Sequence, residues 1–332
     1  MKLLANCIVA AVLVSGFQFK DDAKHLAGTR ELTTPTELQV SSTKTIGGPI
    51  YPAFGFTLAD GEGDLFFHLG AGSFSSATIL KLSHSTYEPS RYSLPPEIQK
   101  NYNFYQFCVS PDGTVWMLVN AGPELMAVSF GSDGEPKGTT VLKVSWDDLN
   151  IQDFAATSKG TLFISGTGLG KNKGRSIAAL FNGDSGEQIK EIAAALRPEN
   201  VLSSGDAIHK GDACVGDDGN LYLLHDRQIL VINPAGVVVR KAAFDKPLST
   251  LLPVHIIVSS GYAAIWMNTP PDNTHHFQTS YLVVDTNSKN PATWYSNPPG
   301  IKLAAVNFSR NDGFEFLVGE KGQYKLVRAE LR

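Results

Sequence analysis

The chain is poor in cysteine, in charge and in long apolar runs, and each shortage excludes something. Three cysteines in 332 residues cannot build a disulfide framework. Cys7 lies in the N-terminal apolar segment, which leaves Cys108 and Cys214, at matching places in FCVSPDGTVW and ACVGDDGNLY. Equivalent positions in non-adjacent repeats lie well beyond the roughly 7 Å Cα separation that a disulfide spans. Both cysteines are therefore expected as buried small hydrophobes, with packing and strand pairing holding the fold. Charged residues make up 18% of the chain, the net charge is −4, and no basic run occurs. A nucleic-acid partner is not expected, because phosphates need a positive face.

Only one stretch is markedly apolar. Met1–Phe19 reads as a signal peptide: Lys2 is a minimal positive start, Leu3–Val14 is apolar except for Asn6, and Val14-Ser15-Gly16 offers small residues for cleavage. The run is short for a span of about 20 residues, and an uncleaved N-terminal anchor is the rival reading. No cysteine follows it at a lipoprotein-like position, and no other stretch could cross a membrane. The expectation is an exported protein, secreted or periplasmic, with residues 20–35 as a polar tether.

Catalytic signatures are missing too. There is no G-x-S-x-G elbow and no H-E-x-x-H. Gly166–Ser176, GTGLGKNKGRS, approaches a phosphate loop. It places Asn172 where Ser or Thr is needed, and Ser165 where the first glycine belongs. It reads as a loop between strands. His275-His276 point apart in an extended loop and have no ligand partner at metal spacing except Asp272.

What is present is a repeat. Asp212–Phe244 contains four strand-like runs separated by Asp217-Asp218-Gly219-Asn220 and by Pro234-Ala235-Gly236, a four-stranded antiparallel meander. Turn glycines recur at Gly63, Gly113, Gly160, Gly219, Gly261 and Gly313, at spacings of 50, 47, 59, 42 and 52. That suits a blade period of roughly 40 to 50 residues with loop insertions. An aromatic follows three residues after the glycine at Phe66, Trp116, Phe163, Tyr222 and Phe316, and shifted at Trp266. A hairpin completes each unit; EQIKEIAAAL has helical spacing, but its register with the other repeats makes it strand, with a short helical end as the alternative. The sixth unit supplies three strands, and Glu37–Ile46 is a lone strand without a neighbour in sequence. Pairing the two closes the ring and removes two sheet edges. The fold class is all-β: a six-bladed β-propeller over residues 36–332, closed by an N-terminal strand in the last blade.

The D-G-N turn, the LYLL strand and the N-P-x-G turn of Ala213–Val239, with S-P-D-G-T-V-W in the second unit, carry a resemblance. The chain resembles six-bladed propellers of the NHL-like and SMP-30-like types. The likeness specifies architecture only. Some propellers of that build with lactonase or lyase activity hold an axial cation that polarises the substrate.

Candidate site residues come from the repeat alignment. Seven residues before the turn glycine stand Gln106, Asp153 and Asp212; His255 and Asn307 fall within one residue of that level, and Phe56 breaks the ring in the first unit. Such a ring at the channel mouth would suit a divalent cation (Ca, Mg or Zn) held mostly by oxygen, or would bind channel waters. In the metal reading Asp153 and Asp212 are ligands and His255 is a ligand or proton acceptor. Tyr105 and His209 lie near the same mouth as candidate ligand contacts. Two functions stay open. One is a binding or interaction scaffold recognising a protein, peptide or glycan through the mouth and loops such as Ser83–Ser90, Gly166–Arg175 and Thr269–Thr279. The other is a metal-assisted hydrolase or lyase.

Overall fold

Strands such as Gln228–Ile232 (QILVI) and Ser176–Asn182 (SIAALFN) are apolar without alternation. A strand of this kind must be covered on both faces. The computed structural model shows how. It describes residues 34–46, 58–69, 78–121, 124–146, 149–169, 176–192, 212–225, 227–244, 251–269, 278–288, 290–301, 305–320 and 323–331. Residues 1–31 form a separate unit from residues 32–332. The signal segment and most of the tether fall outside the described residues.

Six antiparallel blades of four strands form a ring. Blade 1 consists of Leu58–Ala59, Leu65–Leu69, Thr78–Leu82 and Pro89–Ser93. After a short helix, Pro96–Asn101, blade 2 runs through Asn103–Val109, Val115–Ala121, Glu124–Phe130 and Pro136–Leu142. Blade 3 is Leu149–Ala156, Thr161–Gly168, Ser176–Asn182 and Gln188–Glu191. Blade 4 is Ala213–Val215, Leu221–His225, Gln228–Ile232 and Val238–Ala243. Blade 5 is Leu252–Ser259, Tyr262–Asn268, Thr279–Asp285 and Thr293–Ser296. Blade 6 takes Ala305–Ser309, Gly313–Glu320 and Gln323–Glu330 from the C-terminus and its outer strand, Gln39–Ile46, from the N-terminus. The expected closure is thus observed, and EQIKEIAA is strand over Gln188–Glu191.

One apolar cluster lies at each of the six junctions between consecutive blades. In blades 1 to 4 a large aromatic on the second strand faces a non-aromatic inner-strand residue, a small one in blades 2 to 4: Leu58 opposite Phe66, Cys108 opposite Trp116, Ala155 opposite Phe163, Cys214 opposite Tyr222. This explains both cysteines as small partners of bulky rings, and both are free thiols. Blade 6 departs from the pattern. There Asn307 faces Glu315 and Glu315 faces Arg328, whose Nε donates to Glu315 Oε1 at 2.7 Å while Nη2 donates to His84 Nε2 of blade 1 at 3.0 Å.

A second repeated device joins the blades. The turn before each outer strand grips the outer strand of the preceding blade. Tyr92 Oη donates to Ser132 O at 3.3 Å, Lys143 N to Gly186 O at 2.8 Å, and Lys190 Nζ to Gly236 O at 2.8 Å. Arg240 Nη1 donates to Thr286 O at 3.3 Å, and Lys44 Nζ of blade 6 lies 3.7 Å from the centre of the Tyr87 ring. Glycine is needed at the tightest of these: at Gly186, φ is +72° and a Cβ would lie 2.0 Å from Val141 O. The loop Ser83–Ser90, expected to carry recognition, belongs to this system as the grip of blade 1 on blade 6.

Blade 6 has no such turn, because its outer strand arrives from the other chain end. Residues Thr36–Leu38 take the turn's place. Thr36 and Glu37 pair in parallel with Tyr295 and Ser296 of blade 5, and Leu38 N donates to Ser296 O at 3.2 Å. The single strand expected over Glu37–Ile46 is therefore split, its first residues belonging to one blade and the rest to the next. Leu38, 1% exposed, fills the junction against Tyr281, Tyr295, Phe308 and Phe314.

Leu38→Ala should lower the unfolding free energy by about 2–5 kcal/mol, the cost of a cavity at a large-to-small core change. Val40→Ala, two positions on in the same segment but 48% exposed, should change it by less than about 0.5 kcal/mol. Urea unfolding of both variants beside the wild type checks this.

Candidate functional site

The inner strand of every blade begins at one end of the ring, and its first residues form the mouth. Each inner strand is tied to its second strand by a closing pair at the opposite, tight end. These pairs are Asp60 with Asp64, Ser110 with Thr114, Thr157 with Thr161 and Gly216 with Asn220. In blades 5 and 6 they are Ser259 with Tyr262 and Ser309 with Gly313. Four residues before the closing pair stand Gln106, Asp153, Asp212 and His255, so the structure brings these four to one level. In blade 6 that place belongs to Ala305, and Asn307 stands two residues nearer the tight end, level with Cys108, Ala155, Cys214 and Ile257. The turn of blade 6 closes on Gly313 itself, so counting back seven residues from this glycine stops short of the ring level. Phe56 and His209 lie outside the described residues, as do His275-His276 and Lys171–Arg175.

All of the ring residues except Gln106 are buried, Asp153 most completely, at 3% exposure. Both oxygens of its carboxylate are engaged. Oδ1 accepts from Phe154 N at 3.0 Å and from Gln106 Nε2 at 3.4 Å, and Oδ2 accepts from Ala213 N at 2.6 Å. Gln106 is in blade 2, Asp153 in blade 3 and Ala213 in blade 4, so one carboxylate ties three consecutive inner strands together. A buried anion with N–H donors on both oxygens is satisfied where it stands. Asn307 Oδ1 likewise accepts from Phe308 N at 2.8 Å.

A divalent cation needs several oxygen or nitrogen donors turned toward one point. Among the described residues no three of His, Cys, Asp and Glu gather in that way. Both Asp153 oxygens accept amide hydrogens.

The same carboxylate shapes the thiols nearby. Burial pushes the Cys108 thiol well up and the Cys214 thiol up to about 12, and the negative charge of Asp153 adds to both.

Three inner strands carry a β-bulge just before the ring level. The pairing skips Tyr105 in blade 2, Gln152 in blade 3 and Val254 in blade 5. A bulge re-aims the extra side chain out of the sheet's alternation. Tyr105 is 36% exposed, the only exposed aromatic among the described residues, and its Oη accepts from Asn120 Nδ2 at 3.0 Å. Gln152, which sequence reasoning passed over, occupies the same place in the next blade. Its signal was the adjacent polar pair Gln152-Asp153, which breaks the alternation of Leu149–Ala156. At blade 5, Trp266 stands opposite His255 and donates from Nε1 to Asn268 Oδ1 at 2.9 Å.

Two predictions follow from this geometry. Asp153→Ala leaves buried N–H groups in two blades without their anion and should cost about 2–3 kcal/mol of stability, whereas Gln106→Ala, losing one long and partly exposed bond, should cost under about 1 kcal/mol. Equilibrium urea curves compare them. The thiols predict a pH dependence. An unfolded thiol ionises near roughly 8.5, whereas the folded Cys214 thiol holds its proton to about 12. The unfolded chain thus loses protons first, so this contribution is full below about pH 8.5 and is lost as pH rises toward the folded value. Unfolding midpoints should fall between pH 8 and 9.5, less steeply in a Cys108→Ala/Cys214→Ala variant.

No protein-family model matches the chain, and no curated protein matches it. Solved structures do. A member of the DUF4221 family from Bacteroides vulgatus aligns with TM-score 0.55 and 10% identity over 90% of this chain and 99% of that one. Regucalcin from Agrobacterium tumefaciens, a calcium-binding protein, aligns with TM-score 0.49 and 11% identity over 90% and 97%. A gluconolactonase from Xanthomonas campestris aligns with TM-score 0.46 and 10% identity over 90% and 95%. At such identities likeness extends to fold and not to chemistry. Sequence repeat and sheet order make the chain a six-bladed β-propeller.

Proposed function

We propose that the protein is an exported binding scaffold whose channel mouth and surrounding loops recognise a ligand or partner. The observation that carries this reading is the division of labour at the mouth. The buried acid Asp153, the best candidate for chemistry, spends both oxygens on joining three blades, while the bulge beside Gln106 holds Tyr105 exposed. Exposing an aromatic ring forgoes its burial and adds nothing to the core, which is the pattern of a recognition residue. Export rests on the character of Met1–Phe19.

The rival reading, a metal-assisted hydrolase or lyase, takes its support from the placement of Asp153, Asp212 and His255 at one level. The two readings separate by experiment. Calcium, magnesium or zinc should leave the melting temperature of the full chain unchanged, and chelator treatment should do the same. An increment of several degrees on adding one of these cations, abolished in Asp153→Ala/Asp212→Ala, would overturn the scaffold reading, since a ligand of the native state raises its stability by mass action. Export is checked by the mass of the protein recovered from an expressing cell's medium or periplasm, expected to begin near residue 20.

A further inference from the structure

We infer that Gln39–Ile46 is a detachable closing strand, and that the turn Ser83–Glu88 of blade 1 is the clasp that holds it shut. The device is independent of what the channel mouth recognises.

The strand has little of its own to keep it in place. Every described side chain from Gln39 to Thr45 is exposed. It pairs on one side only, with Gln323–Glu330, and that ladder is interrupted by a bulge that skips Ser41. An outer strand without buried side chains is the kind of segment that opens locally while the rest of a domain stays folded. Two side-chain anchors stand near its ends. Leu38 fills the junction with blade 5, and Lys44 Nζ lies 3.7 Å from the centre of the Tyr87 ring of blade 1.

Tyr87 is held there against its backbone preference. The outer turns of blades 1 to 4 close with equivalent bonds. Tyr87 N donates to Ser83 O at 2.9 Å, Gly134 N to Gly131 O at 3.0 Å, Gly186 N to Asn182 O at 2.8 Å and Gly236 N to Asn233 O at 2.8 Å. The donor is left-handed in all four, with φ of +63° at Tyr87 and +87°, +72° and +76° at the three glycines. Glycine adopts that conformation freely, whereas a bulky side chain adopts it under strain. Among the described residues Ser260 is the only other non-glycine with positive φ, and its two-residue turn with Gly261 requires it. A glycine would close the turn of blade 1 as it closes the other three. What tyrosine adds is a ring, which packs against the apolar cluster between blades 6 and 1 and takes Lys44 on its face. Strain kept at a position where glycine would serve points to that contact.

The same turn reaches the other terminal strand. His84 Nε2 accepts from Arg328 Nη2 at 3.0 Å, and His84 N donates to Asp64 Oδ1 at 2.7 Å, which fixes it to its own blade. Lys44 and Arg328 stand almost level, since Lys44 pairs with Leu326 and Arg328 with Ser42. One turn thus holds the two ends of the chain side by side, Tyr87 the first and His84 the second.

Hydrogen exchange read by mass spectrometry on the full chain tests this. In the wild type the amides of Gln39–Ile46 should exchange faster, by about tenfold or more, than those of Thr161–Gly168, a strand paired on both sides. Lys44→Met keeps the stem and removes the charge at an exposed position, and should speed exchange in Gln39–Ile46 several-fold. Tyr87→Gly relieves the strain and removes the ring, and should speed it at least as much. In the Tyr87→Gly background Lys44→Met should add nothing, because the two act through one contact. His84→Ala should speed exchange in Gln323–Glu330. Thr161–Gly168 should keep its wild-type rate throughout. The inference is overturned if Gln39–Ile46 is as protected as Thr161–Gly168 in the wild type, if Lys44→Met leaves its exchange unchanged, or if Tyr87→Gly slows it. A variant that speeds Thr161–Gly168 as much as the terminal strands also overturns it, since the turn would then support the whole ring and not its closure.

Discussion

Everything in this fold depends on each blade being held by the next. A single blade buries neither face by itself, and its outer strand has a free edge. The ring answers both needs with one geometry: an apolar cluster in every junction, and a turn from the following blade laid against every outer strand. The grip differs in chemistry from junction to junction, being a tyrosine hydroxyl, a backbone amide, a lysine, an arginine or a cation over a ring. Its position does not differ. At the one junction where the chain provides no turn, Thr36–Leu38 serve instead. Inside the ring the Asp153 carboxylate repeats the principle, binding three inner strands at once.

The junction between blades 6 and 1 is set apart from the rest. Where blades 1 to 4 place an aromatic, blade 6 places Glu315, 4% exposed and bonded to Arg328, which also reaches His84 across the junction. A buried pair of this kind contributes little net stability over an apolar substitute, because both charges lose water. Its value is discrimination. In a chain of six similar units apolar faces can mispair, whereas this face carries a charged pair formed within blade 6, to which blade 1 adds His84. The identity of that junction is thus written in charge rather than in shape.

Much of this could be read from the residues. Turn glycines in the first five blades, the runs of apolar strand and the vacancy in the last unit all follow from local chemistry, and the blade count came from them. Turn length was hidden. Blade 5 turns on two residues, Ser260 and Gly261, and blade 6 closes on Gly313 itself. Glycine suits each of these turns, so it marks a turn without measuring it, and Asn307 was drawn into the ring by that ambiguity. Phe316 was misplaced for the same reason: it packs toward blade 5, whereas Phe66, Trp116, Phe163 and Tyr222 share a different row. Hydrogen bonds across blades, such as Asp153 to Ala213, lie beyond any pattern in the chain, since sixty residues separate the partners.

The entry of the N-terminal segment has a mechanical meaning. Gln39–Ile46 lies lengthwise along Gln323–Glu330, so tension applied along its axis loads the whole ladder of bonds between them at once. Peeling from the far end would break them singly. A propeller drawn by its N-terminal strand in that direction is pulled against its strongest resistance.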